Sequence, residues 1–280
     1  MRWLLSLLFG LMVLVVLRDI FHTLLHPSGH GRLSRAVMRG VWWVARRSGQ
    51  LGMGLAGPLT MITVIATWGV LLVLGWALIY LPHLPGSFSY APGLDPAVRS
   101  QLADALYLSL LVGATLGFGD IVPQAGWLRL LTPLQAFIGF ALFTASVTWI
   151  LQIYPALGRR RALAVRLRLL TDQQDGAQAL PVPVLHAVAA ELVAVRVDLE
   201  QYTETYYFHD GPATSLARVL AATVSLAEAN AAADDAERQM AGTVLLGAVD
   251  ELTGVLDAQY LDTQGDRGEV IAAYQRDHRQ

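Results

Sequence analysis

Three long apolar stretches constrain the fold of this sequence more than any other feature. They run from Trp3 to Leu17, from Pro58 to about Tyr80, and from about Leu128 to Tyr154. A helix that spans a bilayer needs about 20 apolar residues, so the second and third stretches are long enough, whereas the first depends on its flanks. A signal peptide is the alternative for the first stretch. We expect a membrane anchor, because no small-residue cleavage site follows it.

The composition of the 280-residue chain agrees with a membrane protein that carries a soluble part. Hydrophobic residues make up 54% of the chain, charged residues 15%, and the mean hydropathy is +0.46. Residues 1–154 hold 9 Arg and 4 acidic residues, whereas residues 155–280 hold 11 Arg and 18 acidic residues. Because no soluble part is strongly basic, nucleic acid is not an expected partner. The absence of cysteine excludes disulfides and thiolate metal sites.

The arginine distribution predicts how the spans are oriented. Residues 18–57 contain six arginines and one acidic residue, and five more arginines lie within Arg159–Arg168, whereas residues 81–127 contain only one. Cytoplasmic loops of membrane proteins collect arginine. We therefore expect the N-terminus and residues 81–127 outside the cell, and residues 18–57 and the C-terminal part inside it.

Further helices are predicted outside the spans. In residues 31–47, arginines alternate with apolar residues, which predicts an amphipathic helix along the inner interface; a basic linker is the alternative. Helical periodicity is clear at 184–207, 215–232 and 237–260, and residues 264–268 loosen the end of the chain. A small helical bundle is expected there. Pro155 is expected to end the third spanning helix.

A short apolar run between the second and third stretches leads into an alternation of glycines. The run of about a dozen residues is too short to cross a bilayer, and Gly117 and Gly119 allow backbone conformations that a Cβ would forbid. Non-helical backbone at membrane depth occurs only where it is buried in protein or lines a water-filled path. Carbonyl groups aimed at one axis can replace the hydration shell of a cation, and the negative end of the preceding short helix favours a cation there.

The sequence of residues 115–120, Thr-Leu-Gly-Phe-Gly-Asp, resembles the potassium-channel signature. The resemblance covers about residues 58–154 and is to the pore domain of bacterial two-transmembrane potassium channels, with an extra N-terminal span. It implies a potassium-selective channel in the prokaryotic cell (inner) membrane, formed by a homotetramer around one axis. Potassium would be the permeant ion. No cofactor, structural metal or enzymatic activity is expected.

The resemblance also implies roles for single residues. The ion sites would be formed by the backbone carbonyls of Thr115, Leu116, Gly117 and Phe118. The Thr115 hydroxyl would supply the innermost ligands, and Gly119 would close the filter at the outer mouth. Asp120 would lie just outside it and would add negative charge and hydrogen bonding behind the filter. Gly139, about 20 residues past the filter, resembles the hinge glycine of the inner helix. Close helix packing is the alternative role for this glycine.

The sequence departs from the family pattern around the filter. Phe118 stands where family members often have Tyr, and Leu108 where many have Trp. Leu111 stands where some members place a carboxylate, and Ala114 replaces a common Thr. The filter is therefore expected to be braced more by packing than by hydrogen bonds, which leaves a non-selective cation channel as an alternative.

The sequence thus predicts an all-α membrane protein with three transmembrane helices, a re-entrant pore helix with its filter loop, and a cytoplasmic helical bundle. The predicted domains are an N-terminal transmembrane helix (1–26), a cytoplasmic basic amphipathic linker (27–57), the pore domain (58–154) and a cytoplasmic helical domain (155–280). A non-conducting membrane sensor or scaffold that acts through its bundle is the alternative from another class of protein. The sequence shows no nucleotide-binding motif of the kind attached to many prokaryotic potassium channels.

Two other patterns carry less weight. Residues 52–57 match the dinucleotide-binding fingerprint letter by letter, but a membrane span follows them, so we expect a flexible elbow. Asp19, His22 and His26 could share one helix face and bind a metal ion. We expect them instead to be polar residues at the end of a helix.

Overall fold

The computed structural model describes residues 2–24, 31–172 and 180–278, apart from the side chains of Gln50 and Leu51. Within these residues the α-helices are α1 (Arg2–Leu24), α2 (Arg32–Arg47), α3 (Gly49–Tyr80), α4 (Gln101–Gly113), α5 (Gly126–Asp172), α6 (Val182–Gln201), α7 (Leu216–Ala231), α8 (Ala236–Leu256) and α9 (Arg267–His278). Three helices, over Arg2–Leu24, Gly52–His83 and Gly126–Asp172, are long and apolar enough to cross a bilayer. The predicted all-α membrane fold is confirmed.

The chain forms two compact units. The first unit contains the chain up to Val37 together with Met61–Ile150, and the second contains Met38–Thr60 together with the chain from Leu151 onwards. The boundaries of the four predicted domains remain predictions.

In the first unit, α1 packs antiparallel to α3. Ser6 near the start of α1 donates a 3.3 Å hydrogen bond to the carbonyl of Ile79, and Asp19 near the end of α1 accepts a 3.0 Å bond from Trp68 Nε1. Between them, α1 approaches α3 at Gly75, where a Cβ would lie 2.6 Å from Val13 Cγ2. Another face of α1 carries exposed leucines at positions 4, 7, 8, 11 and 14. The first apolar stretch is therefore a helix paired along its length with the second.

A two-stranded antiparallel sheet and α4 lie between α3 and α5 in the chain. Strand β1 (Phe88–Tyr90) pairs antiparallel with β2 (Ile121–Pro123), and Ser89 lies opposite Val122. α4 follows Ser100, whose hydroxyl accepts a hydrogen bond from Ala103 N at 3.4 Å, as expected of a serine N-cap. The pairing of these two strands thus holds together the chain segments that precede and follow α4.

In the second unit, α8 packs against both α6 and α7. Fully buried leucines form the core of this bundle: Leu185, Leu192, Leu220, Leu245 and Leu252. Gly242 brings α8 close to α7, since a Cβ there would lie 2.2 Å from Ala231 N. The helices predicted from periodicity at 184–207, 215–232 and 237–260 are confirmed, although the first ends at Gln201 and a 3₁₀ turn follows over Thr203–Tyr207.

The predicted amphipathic helix over 31–47 is confirmed as α2. Its buried positions Met38, Trp42 and Ala45 follow a helical spacing of four and three residues, whereas Arg32, Arg35 and Arg39 are exposed. Its placement along a membrane interface remains a prediction.

Two sequence-based expectations were wrong, and one helix was not predicted. α5 does not end at Pro155 but continues to Asp172. One proline removes a single backbone hydrogen bond, and the burial of Leu157, Leu163 and Leu167 beyond it favours continuation of the helix. Residues 52–57 are not an elbow, because they lie inside α3. A further helix, α9, follows the loose segment, since Val270, Ile271 and Tyr274 recur at helical spacing and are buried.

Candidate functional site

The TLGFG segment, residues 115–119, directly follows the C-terminal end of α4. Ala114 N and Leu116 N donate 2.9 Å hydrogen bonds to the carbonyls of Leu110 and Leu111, so the chain leaves the helix in a tight turn. α4 has 13 residues, too few to cross a bilayer. The C-terminal end of a helix carries partial negative charge, and here that end adjoins Thr115.

Left-handed backbone conformations alternate along the TLGFG segment. The angle φ is +59° at Thr115, +54° at Gly117 and +79° at Gly119, whereas Leu116 and Phe118 do not have positive φ. Glycine adopts such angles freely, but a β-branched threonine does so at an energetic cost, and such strain concentrates at functional sites. Alternating handedness turns successive carbonyl groups toward the same side of the chain, which is the arrangement needed to surround a cation.

The side chains of the TLGFG segment are exposed in the single chain. Leu116 is 59% and Phe118 70% exposed, although both are apolar. Behind the segment, Leu108 and Leu111 of α4 are buried, so they contribute packing as the sequence indicated.

A hydrogen bond braces the end of the TLGFG segment against α4. Tyr107 Oη donates to Asp120 Oδ2 at 2.6 Å, and Asp120 Oδ1 accepts from Ile121 N at 3.1 Å. This bond agrees with the expectation that Asp120 hydrogen-bonds behind the segment; that packing contributes more than hydrogen bonds remains a prediction. The donor is Tyr107, one residue before Leu108, the position where many family members have Trp.

A buried polar network joins α3, α4 and α5 behind the segment. Tyr80 Oη donates to Gln135 Oε1 at 2.6 Å, and Gln135 Nε2 donates to the carbonyl and hydroxyl oxygens of Ser109 at 2.9 and 3.0 Å. The Ser109 hydroxyl donates in turn to the carbonyl of Val73 at 2.8 Å. The three side chains of this network are buried. The network was not predicted from the sequence. Gln135, a polar residue inside an apolar span, was the feature that could have indicated it.

A second polar cluster fixes the start of α4 to strand β1. The buried Asp104 carboxylate accepts from Arg99 Nε at 2.9 Å and from Tyr90 Oη at 3.2 Å. Burial and the neighbouring Asp104 carboxylate raise the pKa of Tyr90 to about 12. Tyr90 therefore stays a neutral hydrogen-bond donor across the physiological pH range.

Gly139 of α5 lies directly against the last residue of α4. A Cβ at position 139 would come within 2.1 Å of the carbonyl oxygen of Gly113. This contact requires a residue without a side chain, so close packing accounts for the glycine. A hinge at Gly139 remains a prediction.

The described geometry coincides with a match to a known family. The model of the ion channel family matches residues 66–154, which include α4, the TLGFG segment and Asp120, together with parts of α3 and α5. Residues 66–154 therefore resemble an ion channel domain. The family consists of channels rather than enzymes.

The wider chain resembles one bacterial membrane protein. It is 32% identical over 148 residues to the uncharacterized membrane protein YdjJ of Bacillus subtilis (strain 168). The alignment covers 52% of this chain and 42% of that relative, so the chain spans less than half of the relative's length. No solved structure matches the chain.

Asp19 links α1 to the start of α2, in the same unit as the TLGFG segment. Its carboxylate accepts from Leu33 N at 2.9 Å, from Ser34 N and Oγ at 3.2 and 2.5 Å, and from Trp68 Nε1 at 3.0 Å. Both carboxylate oxygens are thus engaged in structural hydrogen bonds. His22 lies on the same helix, whereas His26 lies outside the described residues. Among the described residues, no group of three acidic, His or Cys side chains could hold a metal ion.

Three consecutive arginines join the far end of α5 to the rest of the second unit. Arg160, only 2% exposed, donates to the carbonyls of Thr205 and Phe208 at 2.5 and 2.9 Å and to Asp210 Oδ2 at 2.6 Å. Arg161 donates to the other oxygen of Asp210 at 2.8 Å. Arg159 forms a two-point pair with Asp198, at 2.8 and 2.6 Å. Such bidentate geometry is specific to arginine.

The last turn of α9 is attached to α2. Asp277 accepts hydrogen bonds from Trp42 Nε1 at 3.0 Å, from Arg46 Nη1 at 2.5 Å and from Tyr206 Oη at 2.6 Å. The buried His278 contacts the carbonyl of Tyr206 through Nε2 at 3.0 Å. Residues 205–210 thus receive contacts from both α5 and α9. Phe208 also packs on Gly57 of α3: a Cβ at position 57 would lie 2.4 Å from the Phe208 ring.

Proposed function

We propose that this chain forms a potassium-selective channel whose ion path runs along the TLGFG segment. The alternation of left-handed residues at 115, 117 and 119 carries the proposal, because it turns consecutive carbonyls to one side. The ligands would be the carbonyls of Thr115, Leu116, Gly117 and Phe118, with the Thr115 hydroxyl innermost. Gly119 would end the filter, and Asp120 would add negative charge at its mouth.

The assembly would be a homotetramer. One chain supplies one TLGFG segment, and a cation needs oxygen ligands from all sides, which closed symmetry around one axis provides. The exposure of Leu116 and Phe118 supports this proposal, because neighbouring copies would cover them. The exposed phenylalanines of α5 at positions 137, 140 and 143 add apolar surface for neighbouring copies or for lipid.

Apart from Asp120 at the mouth, the negative charge along the ion path would come from backbone dipoles rather than from acidic side chains. Four copies of α4 would direct their negative ends toward the inner end of the path and favour a cation there. The bond between Tyr107 and Asp120 would hold the outer end of each TLGFG segment at a fixed distance from its helix.

The proposed orientation places the N-terminus outside the cell and the second unit in the cytoplasm of a prokaryote, because the arginines cluster on that side. α5 would act as the inner, gating helix. Its extension to Asp172 carries Arg159, Arg160 and Arg161 into the second unit, so a movement of the bundle would be transmitted to α5 through these arginines.

Ion flux from liposomes tests the proposal. The purified protein is reconstituted with potassium inside, and flux down an outward gradient is compared with a matched sodium preparation. We expect flux with potassium and little with sodium. Gly119→Ala should abolish flux without changing the oligomeric mass, because φ at this position is +79°. Gly86→Ala is the matched control, since a Cβ there meets no atom within 4 Å.

The other outcomes identify the alternatives. Equal potassium and sodium flux would indicate a non-selective cation channel on the same scaffold. If the wild type shows no flux, and an Arg160→Met variant that releases α5 from residues 205–210 shows none either, the chain would be a non-conducting sensor or scaffold.

A further inference from the structure

We propose that one exposed row of side chains on α2 binds the headgroups of anionic phospholipids. The row consists of Arg39, Trp43 and Arg47, and we call it the arginine row. These residues follow one another at intervals of four, so they are neighbours on one face of the helix. All three are exposed, and they belong to the second unit together with the start of α3.

The apolar face of α2 is already used inside the protein. Trp42 donates a hydrogen bond to Asp277, and its ring centroid lies 5.7 Å from that of Tyr207. Met38 and Ala45 on the same face are also buried. An amphipathic helix usually binds a membrane by burying its apolar face at the boundary between headgroups and acyl chains. Because this face is occupied, α2 can offer a membrane only its arginine face, which fits headgroups rather than acyl chains.

The positive charge of the arginine row is not neutralised by the protein. Residues 31–57 contain five arginines and no acidic residue. Arg46 pairs with Asp277. Across the residues that the structure describes, no carboxylate forms an ion pair with Arg39 or Arg47. An arginine stays charged throughout the physiological pH range, so the partner that complements this row is an anion.

Trp43 holds Arg47 in an orientation that suits a phosphate group. The guanidinium carbon of Arg47 lies 3.5 Å from the centroid of the Trp43 ring. Stacking uses the flat face of the guanidinium and leaves the N–H groups along its edge available. Such an edge can donate two parallel hydrogen bonds to one phosphate. Trp43 is itself exposed, and tryptophan is enriched at the headgroup level of membranes.

The position of the arginine row favours a phospholipid over a soluble polyanion. The helix over Gly52–His83 is long and apolar enough to cross a bilayer, and it begins five residues after Arg47. Five residues cover at most about 18 Å, so the row stays close to the membrane surface where this helix enters. Lipid phosphates are present at that surface wherever the helix is inserted. A headgroup with a net negative charge complements the row better than a zwitterionic one, whose own cation balances the phosphate.

Lipid binding to the full-length protein tests the proposal without measuring ion flux, so the result does not depend on whether the chain conducts ions. The protein in an uncharged detergent is titrated with phosphatidylglycerol or with phosphatidylcholine of the same acyl chains, and bound lipids are counted by native mass spectrometry. Each arginine at a membrane surface contributes about fivefold, so two arginines should give phosphatidylglycerol an advantage of about 25-fold. Added salt should reduce this advantage, because exposed charges are screened.

Single substitutions locate the binding site. Arg39→Gln and Arg47→Gln should each lower the affinity for phosphatidylglycerol about fivefold and leave that for phosphatidylcholine unchanged. Arg218→Gln, at an exposed arginine of α7 in the same unit, removes the same charge outside α2 and should have no effect. Trp43→Leu should lower the affinity about threefold, because Arg47 loses its stack. Equal melting temperatures of these variants without lipid would show that the fold is intact.

Several results would overturn the proposal. One is equal binding of the two lipids to the wild type. Another is an affinity for phosphatidylglycerol that falls as much in Arg218→Gln as in Arg39→Gln, or that stays unchanged in both Arg39→Gln and Arg47→Gln. Competition distinguishes the source of the phosphate. If glycerol 3-phosphate or a DNA duplex displaces the lipid at an equal concentration of phosphate, the row binds a soluble anion or a nucleic acid instead.

Discussion

The phenol of Tyr107 donates a 2.6 Å hydrogen bond to the carboxylate of Asp120 and so connects the middle of α4 to the residue after the TLGFG segment. The backbone carbonyl of Asp120 also accepts from Ala91 N at 2.8 Å, next to strand β1. Asp120 is therefore held from two directions: its side chain bonds to α4, and its carbonyl bonds to Ala91, which follows strand β1. These two contacts fix the end of the TLGFG segment, whose start is fixed by the C-terminal turn of α4.

Tyr107→Phe removes this bond while keeping the ring. If the TLGFG segment conducts ions, we expect potassium flux to begin normally and then to decline several-fold faster than in the wild type, because the outer end of the segment loses its brace. The measurement is the time course of flux from liposomes. Tyr154→Phe, at an exposed tyrosine of α5, is the matched control. Identical time courses for Tyr107→Phe and the wild type would show that the bond does not support the segment.

Gln135→Leu tests the buried network behind the segment. The substitution keeps the side-chain volume but leaves Tyr80 Oη without its acceptor and Ser109 without its donor. Unpaired buried polar groups cost about 1 to 3 kcal/mol each, so we expect unfolding in detergent to become easier by about 2 to 4 kcal/mol. Leu134→Ala, at the exposed neighbouring position, should cost far less. A loss no larger than that of Leu134→Ala would contradict the role of the network.

Asp19→Ala is expected to loosen α1 from α2 and α3. The donors that lose their acceptor are the Leu33 and Ser34 amides, the Ser34 hydroxyl and the Trp68 indole. We expect a loss of about 3 kcal/mol or more in the free energy of unfolding, and a smaller loss for Asp19→Asn, which retains one acceptor oxygen. Asp234→Ala, at an exposed position, serves as the control. Equal effects of Asp19→Ala and Asp234→Ala would refute this account.

Arg160→Met and Arg161→Met form a matched pair on adjacent residues of α5. The Arg160 side chain is 3% exposed and makes three polar contacts, whereas that of Arg161 is 43% exposed and shares Asp210. Removing one partner of a buried ion pair costs about 3 to 5 kcal/mol, so Arg160→Met should destabilise the second unit far more than Arg161→Met. If α5 is the gating helix, potassium flux should change in Arg160→Met alone. Hydrogen exchange at residues 203–210 measures the loss of stability in the second unit, and potassium flux measures the effect on gating.

The attachment of α9 is expected to depend on pH through His278. Burial is the main cause that lowers the pKa of His278 from 6.5 to about 4; Arg160 lowers it further, and Asp277 and the Tyr206 carbonyl oppose the shift. A histidine with a depressed pKa stabilises the folded state fully above pH 6.5, and this contribution is lost as the pH falls from there toward 4. Hydrogen exchange in α9 should therefore accelerate between these two pH values.

His278→Gln provides the control for this pH dependence. Its amide can donate to the Tyr206 carbonyl and does not titrate, so exchange in α9 should vary less with pH than in the wild type. The same pH dependence in both proteins would assign it to another group.

Much of the secondary structure of this protein follows from short stretches of contiguous residues. The three spans, α2, α6, α7 and α8 follow from local hydropathy and a period of 3.6 residues. Such a pattern can be read from neighbouring residues without knowing what they pack against. The TLGFG segment could be found for the same reason, because glycines at 117 and 119 permit a local backbone geometry. The helix α9 was missed, since its short apolar pattern follows a glycine-containing loop.

Tertiary structure alone decided which polar groups meet. Tyr107 and Asp120 are 13 positions apart, Tyr80 and Gln135 are 55 apart, and Trp42 and Asp277 are 235 apart. No local pattern pairs such residues, because a hydrogen bond depends on which helix faces come together after packing. The continuation of α5 through Pro155 has the same origin, since burial of residues beyond the proline outweighs the one backbone bond that it removes. Local sequence therefore determined the elements and the conformation of the segment, whereas packing between elements decided what braces it.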